Sequence, residues 1–581
     1  MPKITKNQKK FIKSNYKLIP LTELAAKTGI SETEIIAYIE KSGRDVDKII
    51  DKEIDENNRA KFESVKDIFG FIYSNRIIIS ILALLVFTLY FNSLKGEFVA
   101  DDIFAFRDNP EVRDIKASFQ SLNIQKITYY LSFKYFGLNP TPLHFGYVVL
   151  HYFVVVLIFI FCSALFNKKT AFLTSLIFAA SPVNTEAVAW ISASNYIINT
   201  TGFLLLSITY FLYKNSKKKI YLFSTVFVYI LWAIILINHF SLAFLPLLIL
   251  IDLAFFEKKI TFKTLVSKLP LLSITFLHFL FVLNQISKRL GELSVSTEAN
   301  TKNTMPYLDR VPYTIYSNLK LLLFPKTLSI FHEGDVITDA LLLIMWVVTI
   351  IFIALIIYFW KKNRNISGLM LFIPISLAPT FSPVIVSSYF SERYLYMGNI
   401  AFCILLALVF LKFEKLAGIK KLSLFITIPL ILLYSVRVVT RNTEWETPKK
   451  LWQSTVSSVP NSPRAHRVLG DLYLEEKDYT NAAIEFEKAV ELRQGDYSGA
   501  LNNLGMSYLR LGNFDLAEKY LLMNAQQYPD MPQTYLNLSE IEVNRSNILK
   551  AREYLLKVLE LEPDNNTALT VLSKINSGEI K

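Results

Sequence analysis

Two cysteines, six histidines and eighteen glycines are few for a chain of 581 residues, and only 19% of its side chains are charged. A soluble domain is about a quarter charged. Cys162 and Cys403 each lie in an apolar run, so neither a disulfide framework nor a cysteine-rich zinc site can be built. No phosphate-binding glycine loop, no G-x-G-x-x-G and no H-E-x-x-H occurs, which removes the commonest nucleotide and zinc-hydrolase signatures. A cleavable leader is not expected either, because the first apolar run begins only near Ile77 and is too long for one.

What is abundant is apolar: 52% of the residues are hydrophobic, and they are gathered in long runs. A helix needs about 20 mainly apolar residues to cross the hydrocarbon core. Eleven stretches qualify: 76–94, 143–165, 170–187, 196–213, 220–237, 239–256, 264–285, 338–360, 366–386, 395–412 and 420–437. The third and ninth carry a late proline and are expected to break. The stretch 313–324 reads as a re-entrant or interfacial segment.

The net charge of +13 is unevenly placed: residues 1–76 are +3, residues 461–581 are −5, and the middle holds +15. The excess sits in short loops, so the high net charge does not argue for nucleic acid as a partner. Alternate loops are basic, at 168–169, 214–219, 258–263, 361–364 and 412–421, whereas 188–195 and 387–394 are poor in positive charge. The positive-inside rule then puts the N-terminus in the cytoplasm and the C-terminal segment outside, together with loops 95–142 and 286–337.

After residue 440 the composition changes and a repeat begins. Leu469-Gly470 with Tyr473, Ala482, Phe486 and Ala489 is followed by Leu504-Gly505 with Tyr508, Ala517 and Leu521. A third unit has Leu538-Ser539, Ala551 and Leu555. Gly470 to Gly505 is 35 residues and Gly505 to Ser539 is 34. This is the tetratricopeptide spacing, and it predicts paired helices whose small residues allow close crossing. At the other end, 21–40 reads as helix, turn at Gly29, helix, with Ser31 and Glu34 forming a capping box. The division expected is therefore 1–73 as a cytoplasmic helical appendage, helix-turn-helix-like, 74–440 as the membrane domain and 441–581 as the repeat domain. The fold class is all-α.

The first outer loop opens with Gly96-Glu97-Phe98-Val99-Ala100-Asp101-Asp102. Adjacent carboxylates repel, so the pair needs a cation, a donor or water. Just outside a membrane such a pair can take the proton of an acceptor hydroxyl or hold a divalent metal against a phosphate. A solvated loop or a helix cap is the plainer reading. Glu186, after Pro182, and His144, His151, His239 and His278 are ionisable groups in or beside apolar runs, where burial is costly and function is the default hypothesis. Each histidine alone is more often a hydrogen-bonded structural residue, and no spacing among them makes a metal site. Arg393 can hold a phosphate bidentately, or pair with Glu392 or Asp101.

Asp101-Asp102 with Asn109-Pro110, then Pro182-Val183-Asn184-Thr185-Glu186-Ala187-Val188-Ala189-Trp190-Ile191-Ser192, occur in the order of a known family's signatures. So do Leu323-Phe324-Pro325-Lys326-Thr327-Leu328-Ser329, Glu392-Arg393-Tyr394-Leu395-Tyr396 and Arg441-Asn442 with Trp445, Leu451-Trp452 and Pro460-Asn461-Ser462. Over about 74–570 the chain resembles the transmembrane and tetratricopeptide-repeat-containing O-mannosyltransferase-like proteins and their bacterial relatives, of the GT-C superfamily.

The resemblance implies a GT-C-like bundle of about eleven transmembrane helices followed by a tetratricopeptide α-solenoid. It implies a glycosyltransferase that moves a mannose-like sugar from a polyprenyl-phosphate donor to a protein Ser/Thr hydroxyl, by direct inverting displacement. Asp101 would be the base with Asp102 its partner. Arg393 would hold the donor phosphate, Glu186 would position sugar hydroxyls or Arg393, and His144 and His239 belong to the donor side. The lipid-linked sugar is a substrate, no cofactor is assigned beyond room for a divalent metal, and the repeats would engage the acceptor protein.

Several polar positions usual in relatives differ: Ser181 replaces a His, Ser194 and Tyr196 replace an Arg and an Asp, and His239-Phe240 replaces a Lys-Glu pair. Two Asn usual beside His144 and His151 are Tyr147 and Val154. The alternative is thus a non-catalytic membrane scaffold whose repeats organise an envelope complex. The low-His, Lys/Asn/Ile/Phe-rich composition fits a bacterial inner membrane with periplasmic repeats; in a eukaryotic cell the same topology gives an ER membrane with lumenal repeats.

Overall fold

The computed structural model describes residues 4–15, 21–41, 59–120, 123–236, 239–256, 268–295, 306–332, 337–381 and 390–580. Their regular structure is helical, with one isolated bridge between Arg59 and Asn167 and no strand among them.

Where they are described, the eleven apolar runs are mainly helical, yet five helices among the described residues are long and apolar enough to cross a membrane: Arg76–Lys95, Thr141–Leu165, Ile191–Ser216, Asp339–Lys362 and Leu422–Glu444. A bent pair, Lys168–Ala180 with Pro182–Ala189, makes a sixth if counted as one span. The count of eleven is therefore not reproduced. The helices Lys219–Ala233, Phe240–Phe256 and Leu269–Asn284 are shorter apolar segments.

Proline explains two of the interruptions, since it removes a donor and crowds the preceding turn. Before Pro182 the chain bends by 55°, and Asn184 Nδ2 donates to the carbonyl of Phe178 at 2.7 Å, the acceptor Pro182 cannot serve. The ninth run is helical over Arg364–Leu377 with Pro374 inside, then tightens to a 3-10 turn at Ala378–Phe381. The stretch expected to be re-entrant lies in the helix Tyr307–Leu323, which packs on Asp339–Lys362; Trp346 Nε1 donates to Asp309 at 3.4 Å.

The bundle has two distinct ends. At one, Ala60 N–H donates to Ser163 O at 2.8 Å, Asn215 Nδ2 to Phe62 O at 3.0 Å, and Lys169 pairs with Glu414. The basic loops 168–169, 214–219 and 412–421 gather there. At the other end Val99, Trp190, Ile330, Phe331, Trp445, Leu451, Trp452, Ala465 and Leu469 form one apolar cluster. That cluster joins Val99, Trp190 and Ile330–Phe331, from three loops of the bundle, to the first repeat helices.

The repeats are three helix pairs, Pro463–Glu475 with Tyr479–Leu492, Ser498–Arg510 with Phe514–Gln527, and Pro532–Asn544 with Ile548–Leu561. The helix Asn566–Asn576 covers the last pair. The residues read as small at the crossings are those closest packed: a Cβ on Gly505 would lie 2.5 Å from Leu521 Cγ, and one on Gly470 2.8 Å from the Phe486 ring. In the N-terminal unit, Leu21–Thr28 and Glu32–Lys41 flank Gly29 at φ 66°. Ser31 and Glu34 close the capping box, with Glu34 N–H donating to Ser31 Oγ and Ser31 N–H to Glu34 Oε2 at 3.4 Å each. Ile12, Leu24, Ile30, Ile35 and Ile39 form its small core.

Candidate functional site

The acidic pair is asymmetric. Ala100 takes φ 49°, left-handed backbone that a side-chain-bearing residue seldom adopts and that often marks functional turns. The turn is held by Asp102, which is fully buried. Its carboxylate accepts from Ser192 N–H at 2.8 Å, from the Ser192 hydroxyl, and from Val99 N–H at 3.3 Å. Burial pushes the Asp102 carboxyl up to about 7, against the lowering by those hydrogen bonds. Asp101, one residue earlier, is exposed. The pair thus consists of an anchor and a free carboxylate.

As metal ligands the two do not fit together, because Asp102's oxygens already accept from backbone and serine donors. Among the described residues no three His, Cys, Asp or Glu side chains converge on a point.

The anchor reaches into the loop that follows the Pro182 bend. In the same loop Glu186 is buried and accepts from Ser391 Oγ at 2.9 Å and Arg393 N–H at 2.8 Å, and it forms an ion pair with the Arg393 guanidinium. Arg393 Nη1 also donates to Ser391 Oγ at 2.8 Å, and Nη2 reaches the Tyr394 hydroxyl at 3.4 Å. The partner of Arg393 is therefore Glu186, not Glu392 or Asp101. Its guanidinium lies 5.0 Å from the Trp190 ring and 4.9 Å from that of Tyr394. Planar guanidinium on aromatic faces is favourable, more so away from water.

Glu392 turns the other way. It is buried, accepts from Ser329 N–H at 2.5 Å, and meets Arg441 Nη2 at 3.4 Å. Arg441 pairs with Glu444 at 2.6 Å and lies 5.3 Å from the Trp445 ring. Trp190 and Trp445 stack at 5.6 Å.

Asp102, Glu186 and Arg393 are thus tied to the one segment 186–192, and Asp101 is there as the chain neighbour of Asp102. The histidines behave differently. His144 is buried in Thr141–Leu165, its ring against the Gly96–Glu97 backbone at the head of the acidic loop. His151 meets the Tyr396 hydroxyl at 2.5 Å, a structural tie to the 392–396 turn. The side chain of His239 lies outside the described residues. His278 meets Ser241 Oγ at 3.2 Å.

Sequence reasoning gave no role to Ser192, Ser391, Trp190, Arg441 or Trp445. The signal was present, since all but Ser391 lie in the ordered motifs. Their partners are separated by up to 255 residues, and only folding pairs them.

Tetratricopeptide-repeat family profiles match residues 449–498 and, as a second profile, residues 498–522 and 532–565. The chain is 24% identical to human protein O-mannosyl-transferase TMTC3 over 86% of its length and 62% of that protein. It is 26% identical to the Caenorhabditis elegans protein O-mannosyl-transferase F38B6.6 over 68% of this chain and 60% of the relative. Human protein O-mannosyl-transferase TMTC1 is 30% identical over 21% of the chain and 16% of that protein. The chain spans about three fifths of the length of the relatives it matches most fully. A solved structure, the APC/C hetero-tetramer Cut9-Hcn1, superposes at a TM-score of 0.23 and 13% identity over 79% of this chain and 92% of that one, too loosely to bear on the fold.

Proposed function

Starting from its place as a distant member of the family of membrane proteins named O-mannosyl-transferases, we propose that this chain is a membrane glycosyltransferase. It transfers a mannose-like sugar from a polyprenyl-phosphate donor to a protein Ser/Thr hydroxyl, on the side opposite the basic loops. The observation that carries this reading is the anchored acidic turn. Asp102 is spent on Ser192 and Val99, and this leaves Asp101 projecting from a rigid, strained turn as a free carboxylate.

In the proposed reaction Asp101 accepts the proton of the acceptor hydroxyl. The hydroxyl oxygen bonds to the anomeric carbon as the bond from that carbon to the phosphate oxygen breaks. The electron pair leaves with the polyprenyl phosphate, beside the Arg393 guanidinium. A base within hydrogen-bond reach contributes about 10²–10⁴-fold. Ser391 and Glu186 fix the Arg393 Nη1 arm. Nη2, whose contact with Tyr394 is long, is the arm aimed at the phosphate. No step runs through a metal. The basic end of the bundle faces the cytoplasm, and the repeats and the acidic loop lie together outside, where the repeats present the acceptor.

The scaffold reading has one observation on its side: Arg393 is already neutralised by Glu186 in a buried pair. The two readings separate on Asp101→Asn. Envelope glycoproteins from a deletion strain complemented with wild type or the variant are compared by mass spectrometry at matched expression. The transferase reading expects an O-linked sugar that wild type restores and the variant does not. A glycan pattern indifferent to the deletion, or fully restored by Asp101→Asn, sinks it in favour of the scaffold.

A further inference from the structure

The repeat domain is joined to the bundle through a stack of charged and aromatic side chains that ends on Arg393. Ser454, in the helix Pro448–Ser458 ahead of the repeats, donates to Glu444 at 2.8 Å. Glu444 pairs with Arg441 at 2.6 Å. Arg441 lies over Trp445 at 5.3 Å, Trp445 stacks on Trp190 at 5.6 Å, and Trp190 carries Arg393 at 5.0 Å. The two guanidiniums and the two stacked indoles therefore form one continuous series of contacts, all four buried. Glu186 closes one end of the stack, and Glu392, next to Arg393 in the chain, closes the other through Arg441.

We propose that Trp445 and Arg441 are positioning residues for Arg393, so that the seating of the repeat domain sets the geometry with which the site holds a phosphate. The proposal rests on the reading of Arg393 as the phosphate-holding group. The indole of Trp190 touches both Arg393 and Trp445. Removing Trp445 lets Trp190 relax away from Arg393 and frees the Nη2 arm to turn. A purely structural role for Trp445 would lower stability without discriminating between a phosphate and its absence.

The test uses the full chain in lipid nanodiscs with two probes that share a tail, farnesyl phosphate and farnesol. Wild type is expected to bind the phosphate more tightly than the alcohol. Trp445→Leu, which keeps an apolar side chain but loses the stack and some volume, should weaken farnesyl phosphate by about tenfold, the scale of a desolvated cation–π contact, with farnesol unchanged. Trp445→Phe should return affinity to within about threefold of wild type on the same scale. If Trp445→Leu does not fold, Glu444→Gln serves instead, because it loosens Arg441 from a half-buried position, and it should shift the phosphate probe alone.

Arg393→Gln separates the two levels of the argument. If it loses phosphate discrimination while the folded stack variant keeps it, the positioning role is overturned and the site reading stands. If Arg393→Gln itself binds both probes as wild type does, the phosphate-holding reading fails as well.

Discussion

Asp101 and Asp102 are neighbours in sequence with opposite environments, and their substitutions should part accordingly. Asp101→Asn is expected to lower transfer by about 10²–10⁴-fold, as loss of a general base does, with thermal stability in detergent unchanged. Asp102→Asn should act on stability and its pH dependence. The carboxyl sits near 7 in the folded protein against 3.8 when free. The folded state therefore holds a proton that the unfolded state gives up between those values. The Asp102 contribution is fully present below about pH 4, declines as pH rises, and is gone above about pH 7. The upper bound on the change is about 4 kcal/mol. Melting temperatures measured from pH 4 to 8 should fall less steeply in Asp102→Asn than in wild type; parallel curves would show that Asp102 does not titrate there.

The buried pair Glu186–Arg393 obeys a different rule. Removing one partner of a buried ion pair strands the other charge and costs about 3–5 kcal/mol, whereas replacing both is far milder. Glu186→Gln should therefore melt well below wild type, and the double variant Glu186→Gln/Arg393→Met should recover stability without recovering transfer. A double variant as unstable as the single one would contradict this account of the pair.

At the scale of elements, the helices that matter are interrupted ones. The Pro182 bend delivers Glu186, Trp190 and Ser192 to one place, because the turn it forces is stabilised by Asn184 and by Asn399, whose Nδ2 donates to Ser181 Oγ at 2.9 Å and Asn184 Oδ1 at 3.0 Å. Proline in an apolar run told where a helix breaks; it did not tell which way the chain leaves. The repeats were the opposite case. Their periodicity is local, so the crossing positions could be read directly. Gly505→Ala should cost about 1–3 kcal/mol through overpacking against Leu521, visible as a lowered melting transition of the repeats. An unchanged transition would mean that Leu521 moves aside freely.

For the whole molecule, the junction decides whether site and solenoid act as one body. Asn442 Nδ2 donates to Leu89 O at 2.9 Å and Asn92 Oδ1 at 2.8 Å, and Glu97 N–H donates to Glu446 O at 2.9 Å. The Asn442 contacts tie the last span to the end of the first, and the Glu97 contact ties the turn after the last span to the loop that carries Asp101. Across the junction Phe331 stacks on Trp452 at 5.9 Å and carries the Arg464 guanidinium at 3.9 Å. Phe331→Ala removes one layer of this contact. Trypsin cleavage at Lys449 and Lys450 should then speed up several-fold while the repeats keep their own melting transition. Cleavage at the wild-type rate would show that the junction does not depend on Phe331.

The sequence by itself determined the all-α class, the apolar runs, the basic and non-basic ends and the repeat spacing, because each follows from periodicity or composition within a short window. It also marked Asp101, Asp102, Glu186 and Arg393 as the residues to watch. Tertiary structure decided what they do to one another. It buried Asp102 and left Asp101 free, gave Arg393 to Glu186 and Glu392 to Arg441, and stacked Trp190 on Trp445. Among the described residues it made five or six helices long and apolar enough to cross a membrane where the apolar runs numbered eleven. Those outcomes depend on contacts between segments up to 255 residues apart and on where proline bends direct the chain, and no local pattern of residues encodes either.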